Sequence, residues 1–85
     1  MPEVLIYTTR SCGYCLLAKR LLNNKGVSYR EIDVTGDREK RAWLRQASGQ
    51  RTVPQVFIDE RPFGGFTDIE ALDRRGELDR LLFGQ

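Results

Sequence analysis

The segment Tyr7–Leu22, YTTRSCGYCLLAKRLL, places two cysteines three residues apart where a turn-like stretch becomes rich in leucine. Cys12 and Cys15 are the only cysteines among the 85 residues, and the chain contains no histidine. A disulfide across so short a loop removes little entropy from the unfolded chain, which disfavours a structural staple. A closed zinc site needs four ligands, which one chain of this composition could complete only with carboxylates. The remaining interpretation is a redox pair, which C-x-x-C indicates in an intracellular α/β chain.

The length and the charge of the chain limit the classes of protein to which it can belong. A chain of 85 residues buries roughly 60–65% of its unfolded surface, which predicts one small domain over residues 1–85. A net charge of +2 does not indicate a nucleic-acid binder. No apolar run approaches the ~18 residues of a membrane span, and the first residues lack the cationic segment of a signal peptide. We therefore expect a cytoplasmic protein that binds neither nucleic acid nor membrane.

Strand-like and helix-like segments alternate along the chain. Strands are predicted at 4–7, 27–34, 56–58 and 61–63, and helices are predicted after Ser11, over 38–48, after Thr67 and at 78–82. The order is β-α-β-α-β-β-α-α, in which the first β-α-β unit gives parallel strands and the later hairpin gives antiparallel ones. This pattern predicts an α/β fold whose four-stranded mixed sheet has helices on both faces. Pro62 cannot donate to a ladder, so the last strand should lie at an edge.

Two helix starts and one helix face are predicted from local patterns. Ser11 is the expected N-cap of the first helix, whose expected inner residues are Leu16, Leu17, Leu21 and Leu22. The segment Thr67-Asp-Ile-Glu70 matches a capping box with Thr67 as the N-cap and Glu70 three residues further on.

The placement of Cys12 suits a reactive thiol. At a helix start, unpaired N–H groups and the helix dipole favour negative charge, so a cysteine there has a lowered pKa and is a nucleophilic thiolate. Arg10 would add positive charge nearby. Cys15 lies one turn further on and should be less exposed. The pair therefore has the geometry of an attacking thiol and a resolving thiol.

Three segments together resemble the glutaredoxin family, whose members have the thioredoxin fold. They are Cys12-Gly-Tyr-Cys15 with the preceding Tyr7-Thr, the segment GQRTVPQVFI at 49–58, and the segment GGFTD at 64–68. They occur in the family's order and spacing, and the similarity extends over nearly the whole chain. The resemblance implies a thioredoxin-like fold, one glutaredoxin domain over 1–85, Cys12 as the attacking thiol and Cys15 as the resolving thiol.

The resemblance also implies a glutathione site. The peptide between Val53 and Pro54 would be cis, with the backbone of Val53 pairing with the cysteinyl part of glutathione. Thr67 and Asp68 would hold its γ-glutamyl end. The full implied set of glutathione-binding residues is Arg10, Tyr14, Arg51, Thr52, Val53, Pro54, Gly65, Thr67 and Asp68.

The charges of glutathione agree with this assignment. Glutathione carries two carboxylates and one ammonium. The helix start near Thr67 offers free N–H groups to one carboxylate, and Asp68 can pair with the ammonium. Gly64 and Gly65 permit close backbone approach. Arg10 and Arg51 are candidates for the second carboxylate.

Three functions follow as hypotheses. The leading one is a dithiol glutaredoxin that uses glutathione to reduce disulfide-containing and glutathionylated proteins. The second is a redoxin that is reduced by thioredoxin reductase and serves ribonucleotide reductase. The TVP and GGFTD segments disfavour it because they would supply a glutathione site. The third is a dimer holding a [2Fe–2S] cluster through Cys12 of each chain and two glutathione thiols. Gly13, where the commonest family motif has proline, keeps the third open. We expect a monomer unless a cluster bridges two chains.

Overall fold

The computed structural model describes residues 2–84 and confirms the predicted order of elements. The strands and helices, in chain order, are β1 (Val4–Thr8), α1 (Gly13–Asn24), β2 (Arg30–Asp33), α2 (Arg38–Ser48), β3 (Gln55–Ile58), β4 (Arg61–Gly64), α3 (Phe66–Arg74) and α4 (Glu77–Phe83). The second strand is shorter than the predicted range 27–34, and the third strand begins one residue earlier than predicted. In the described part of the chain, no helix has the length and apolar character needed to cross a membrane.

The four strands form one mixed sheet in the order β2-β1-β3-β4. β1 pairs in parallel with β2 and antiparallel with β3, and β4 pairs antiparallel with β3. The predicted sheet is therefore confirmed, with β4 and its Pro62 at an edge. β1 is a central strand, and the segment that contains Cys12 follows its carboxyl end. Cys12 therefore lies near the middle of one edge of the sheet, where the strand ends are.

Successive residues of β1 and β3 bury opposite faces of the sheet, as the strand period of two requires. On one face, Ile6 packs in a cluster with the helix residues Ala18, Leu22, Ile69, Leu78 and Leu82. On the other face, Tyr7 and Phe57 pack with Leu44 of α2. Helices α1, α3 and α4 thus cover one face, and α2 covers the other.

The predicted inner face of α1 is wrong at two positions. Leu16 and Leu17 are 55% and 37% exposed, whereas Cys15, Ala18 and Leu22 are buried. The helix has apolar residues on more than one side, so its pattern leaves the orientation undetermined. Packing brings the stripe at 15, 18 and 22 against the sheet, with Ala18 as the small residue at its centre.

Two connections show how local residues determine the chain path. Helix α2 has the predicted bounds and ends at Gly49, whose φ of 74° is left-handed. The turn between β3 and β4 places two non-glycine residues, Asp59 and Glu60, at φ values of 51° and 69°. Positive φ at both positions is what a two-residue type I′ hairpin turn requires. Glycine, asparagine and aspartate tolerate it, whereas it is unfavourable for Glu60.

Candidate active site

Cys12 is the N-cap of α1, so the prediction that Ser11 occupies this position is wrong. Cys12 has extended backbone angles (φ −133°, ψ 104°), and its Sγ accepts a hydrogen bond of 3.0 Å from the N–H of Cys15. This contact joins an N-cap side chain to the N3 backbone, the bond that a serine oxygen would make in an ordinary cap. The sulfur therefore lies against the unpaired N–H groups of the helix start, where negative charge is stabilised.

The two cysteines are joined by a disulfide, with their Cα atoms 5.2 Å apart. Cys12 is only partly buried, whereas Cys15 is 2% exposed. An incoming thiol or disulfide therefore has access to Cys12 rather than Cys15. This asymmetry agrees with the predicted attacking and resolving roles.

The segment 50–54 forms a wall beside the disulfide. The Sγ of Cys12 lies 3.6 Å from the carbonyl oxygen of Val53. The peptide between Val53 and Pro54 is cis, as the family resemblance implies. The backbone of Val53 is consequently next to the atom at which exchange would occur.

Gln55 supports this wall and was not identified by the sequence analysis. Its side chain is fully buried, and its Nε2 donates to the carbonyl oxygen of Thr52 at 2.8 Å and to Oε1 of Gln50 at 2.9 Å. The signal that could have identified it is one polar residue at the head of an otherwise apolar strand, QVFI. The buried NH₂ group thus finds both of its partners in the loop that carries Val53. The Oε1 atom of Gln55 has no hydrogen-bond partner within residues 2–84.

The start of α3 forms the opposite wall, and the prediction of Thr67 as its N-cap is wrong. Gly65 is the N-cap, and Oδ2 of Asp68 accepts a hydrogen bond of 2.9 Å from the N–H of Gly65. Asp68 thus takes the N3 role that the capping-box prediction gave to Glu70. Gly64 has a φ of 93°, and a Cβ there would overlap the carboxylate of Asp68. The close approach at this glycine is therefore to the carboxylate of its own chain.

Between the two walls lies a groove of about 330 Å³. It is lined by seven of the nine predicted glutathione-binding residues together with Gln50 and Phe66; the seven are Tyr14, Thr52, Val53, Pro54, Gly65, Thr67 and Asp68. The ring of Tyr14 is 60% exposed and stacks on the ring of Phe66, with their centroids 6.3 Å apart. The groove thus has an apolar end beside the disulfide and a polar end at Asp68.

The other two predicted residues lie outside the lining of the groove. Arg51 lines a neighbouring cavity of about 500 Å³, which shares Val53 and Gln50 with the groove. Arg10 is exposed, and its backbone N–H donates to Oγ1 of Thr35 at 2.9 Å. Their roles in binding glutathione remain predictions.

The family model for glutaredoxin matches residues 4–63. The chain belongs to the glutaredoxin family. It is 51% identical over 82 residues to a glutaredoxin of Pseudomonas aeruginosa, covering 96% of this chain and 98% of that protein. It is 50% identical over 82 residues to glutaredoxin 3 of Escherichia coli, covering 96% of this chain and 99% of that protein.

Solved glutaredoxin structures have the same fold. The buckwheat glutaredoxin–glutathione complex matches with a TM-score of 0.89 at 31% identity, over 98% of this chain and 78% of that one. The solution structure of a glutaredoxin from Brucella melitensis matches with a TM-score of 0.86 at 43% identity, over all of this chain and 94% of that one. The predicted thioredoxin-like fold is confirmed. Glutaredoxin membership and the disulfide-forming pair support a thiol–disulfide oxidoreductase.

Proposed function

We propose that this glutaredoxin is a cytoplasmic, glutathione-dependent dithiol oxidoreductase, made of one domain over residues 1–85, that reduces protein disulfides and glutathione mixed disulfides. The observation that carries this proposal is the position of Cys12. Its sulfur is accessible, lies at a helix start and is 3.6 Å from the carbonyl of Val53, at the end of a groove with polar groups at its other end.

With a glutathionylated protein, the Cys12 thiolate attacks the glutathione sulfur. A bond forms between Cys12 and glutathione, and the protein thiolate leaves and takes up a proton. The thiolate of a second glutathione then attacks the bound glutathione sulfur, releasing oxidised glutathione and the Cys12 thiolate. The N–H of Cys15, which already donates to this sulfur, would stabilise the charge of the thiolate in both steps.

With a protein disulfide, the first product is a mixed disulfide between Cys12 and the protein. Cys15 then attacks Cys12, the protein thiolate leaves, and the disulfide between Cys12 and Cys15 forms. Two glutathione molecules return this disulfide to two thiols and leave as oxidised glutathione. The buried position of Cys15 next to Cys12 suits this intramolecular step, because proximity replaces a bimolecular encounter.

The groove suits glutathione along its length. Backbone groups of Val53 face the place where the cysteinyl unit would lie, since Cys12 must reach its sulfur. The first N–H groups of α3, at Phe66 and Thr67, are available to the γ-glutamyl carboxylate. Asp68 offers a carboxylate to the γ-glutamyl ammonium. The buckwheat relative, solved as a complex with glutathione, supports a ligand of this kind.

Arg51 is the better supported of the two candidates for the glycyl carboxylate. It lines the cavity that shares Val53 with the groove, whereas Arg10 lines neither space. Arg51 would thus meet the end of glutathione opposite to Asp68, on the other side of Val53.

The test is turnover of a glutathionylated peptide by the purified protein with glutathione, NADPH and glutathione reductase. We expect NADPH oxidation that depends on both the protein and Cys12. Turnover by Cys12→Ser at the wild-type rate would contradict the proposal. Turnover with thioredoxin reductase but not with glutathione would instead favour the redoxin alternative.

The iron–sulfur alternative is tested on the same material. Within residues 2–84, no three His, Cys, Asp or Glu side chains converge as a possible metal site, so a cluster would require Cys12 of two chains and two glutathione thiols. Visible absorption and a dimeric elution volume after anaerobic purification with glutathione would support it.

A further inference from the structure

Positive charge is concentrated in one segment of this chain. Residues 38–54 contain five cationic side chains and one acidic one, a net charge of +4, so the rest of the chain carries −2 against the total of +2. Arg38, Arg41 and Arg45 lie three and four residues apart on α2 and therefore share one side of that helix. The net charge of +2 for the whole chain therefore does not reveal that the positive charge is concentrated in residues 38–54.

These arginines line a cavity that is partly open to solvent. Arg38, Arg41, Arg45 and Arg51 line the space of about 500 Å³ described above, which we term the arginine cavity. Its floor includes Leu44, which is buried. A cavity of this size accommodates side chains of another molecule, and four guanidinium groups determine the charge that those side chains should carry.

Within residues 2–84, the guanidinium groups of the arginine cavity have no acidic partners. The ion pairs among residues 2–84 join Lys19 to Glu31, Lys25 to Asp73 and Asp79, Arg74 to Glu70, and Arg75 to Glu77. None includes a residue of 38–54, and no side-chain hydrogen bond of the four arginines is present in this part of the chain. Arg51 is proposed above to bind the glycyl carboxylate of glutathione. The planar donor sets of Arg38, Arg41 and Arg45 are available to other external carboxylates, which arginine binds in bidentate geometry.

The arginine cavity adjoins the thiol site. Val53 lines both the cavity and the groove, and its carbonyl oxygen is 3.6 Å from the sulfur of Cys12. A glutathionylated protein whose glutathione lies in the groove has its mixed disulfide next to Cys12, so the protein must pass beside this wall. Residues close to its reacting cysteine would therefore reach α2.

We propose that the arginine cavity binds acidic side chains that flank the reacting cysteine of a protein substrate. This inference rests on the proposed function and adds the chemistry of the partner. Isolated glutamate or aspartate side chains fit better than a long polyanion such as nucleic acid, because the positive charge is confined to one cavity and the remaining surface is net negative. Attraction of this kind raises association rates and weakens as salt increases.

The test compares two glutathionylated peptides that differ only in having three glutamates or three glutamines beside the modified cysteine. For the wild-type protein at low ionic strength, we expect kcat/KM to be about 3- to 10-fold higher for the glutamate peptide. The preference should disappear at about 0.5 M salt, where the Debye length is only a few ångströms. Equal kcat/KM for the two peptides at low salt would overturn the inference.

The decisive variant is Arg38→Gln with Arg45→Gln, which changes two exposed positions outside the glutathione groove to another good helix former. It should lose the preference for the glutamate peptide and keep wild-type kcat/KM for the glutamine peptide. The matched control is Arg20→Gln with Arg80→Gln, which has the same net charge and alters exposed arginines elsewhere. If the control loses the preference to the same extent, net charge rather than the cavity is responsible and the inference fails.

A binding measurement separates this inference from the proposed function. Trp43, the single tryptophan, is on α2 and is 49% exposed, so its fluorescence can report binding of an unmodified glutamate peptide to the oxidised protein. Salt-sensitive binding that is lost in Arg38→Gln with Arg45→Gln would support the arginine cavity even if neither glutathionylated peptide is turned over. Displacement of the peptide by a single-stranded oligonucleotide that binds more tightly would overturn the choice of an acidic protein partner.

Discussion

The carboxylate of Asp68 accepts a hydrogen bond of 2.9 Å from the backbone N–H of Gly65 at the start of α3. The same carboxylate lines the groove proposed to hold glutathione. One side chain therefore both caps a helix and presents negative charge to a ligand. Substitutions can separate the two roles, because the cap needs an acceptor oxygen and the proposed binding needs a charge.

Asp68→Asn should raise the KM for glutathione-containing substrates by about fivefold, corresponding to loss of about 1 kcal/mol from a partly exposed ion pair. Its free energy of unfolding should change little, since the amide oxygen can still accept from Gly65. Asp68→Ala should raise KM similarly and also lose about 1 kcal/mol of stability with the cap. Thr67→Ala should raise KM with little change in kcat. Steady-state kinetics and urea titrations check these values, and an unchanged KM in all three variants would contradict the assignment.

The two cysteines should differ in the reactions that they support. Cys12→Ser should abolish both deglutathionylation and protein-disulfide reduction. Cys15→Ser should keep deglutathionylation, at an equal or higher rate, because its disulfide with Cys12 can no longer form. It should lose much of its protein-disulfide reduction, which needs the intramolecular step. Both assays on both variants at matched concentrations measure this. Equal loss of deglutathionylation in the two variants would show that the assigned roles are wrong.

The thiol of Cys12 should have a pKa below the ordinary thiol value of about 8.5, because its sulfur is the N-cap acceptor of α1. The measurement is the pH dependence of alkylation in Cys15→Ser, which leaves Cys12 as the only thiol. A midpoint near 8.5 or above would refute the argument from the helix start.

A glycine at position 60, in the turn between β3 and β4, should raise the free energy of unfolding. Glu60 has a φ of 69°, a conformation that glycine adopts without the Cβ penalty. After subtraction of the larger entropy of glycine in the unfolded chain, Glu60→Gly should stabilise the protein by about 0.5 kcal/mol. Glu60→Ala is the control, since it removes the carboxylate and keeps the unfavourable φ. Chemical denaturation of both variants tests the prediction, and equal stabilisation by alanine would attribute the effect to charge instead.

Glu31 should contribute to stability above its titration range. The hydroxyl of Thr8 donates to its carboxylate at 2.7 Å and Lys19 pairs with it at 3.1 Å; the Thr8 bond first, and then Lys19, lower the pKa of Glu31. A carboxyl with a lowered folded-state pKa stabilises the protein above its unfolded pKa of about 4.3, and this contribution is lost as pH falls through the folded value. Because Glu31 is partly exposed, the contribution should be below about 1 kcal/mol.

Glu31→Gln should therefore lower stability near pH 7 and show a shallower loss of stability between about pH 5 and pH 3 than the wild type. The matched control is Glu39→Gln, because Glu39 is exposed and makes no hydrogen bond or ion pair through its side chain within 2–84. Denaturant titrations across this pH range measure the effect. Parallel pH profiles for wild type and Glu31→Gln would contradict it.

Local patterns in the sequence are sufficient to predict the order of the elements, the bounds of α2, the edge position of β4 and the family. These depend on strong local signals: a run of strand-forming residues, a glycine that ends a helix, a proline without an N–H, and motifs at the family's spacing. Such signals act within a few residues and do not require knowledge of what packs on them.

Packing of the whole chain selects between alternatives that have nearly equal free energy when only neighbouring residues are considered. Ser11 and Cys12 can both cap α1, and Thr67 and Gly65 can both cap α3. The direction in which the chain leaves the sheet before each helix determines which residue is the cap. The apolar residues of α1 surround much of the helix, and contact with the sheet buried Ala18 rather than Leu17. The amide of Gln55 became a support for Thr52 only because folding excluded water around it, and a buried polar group must then bond to whatever backbone lies within reach.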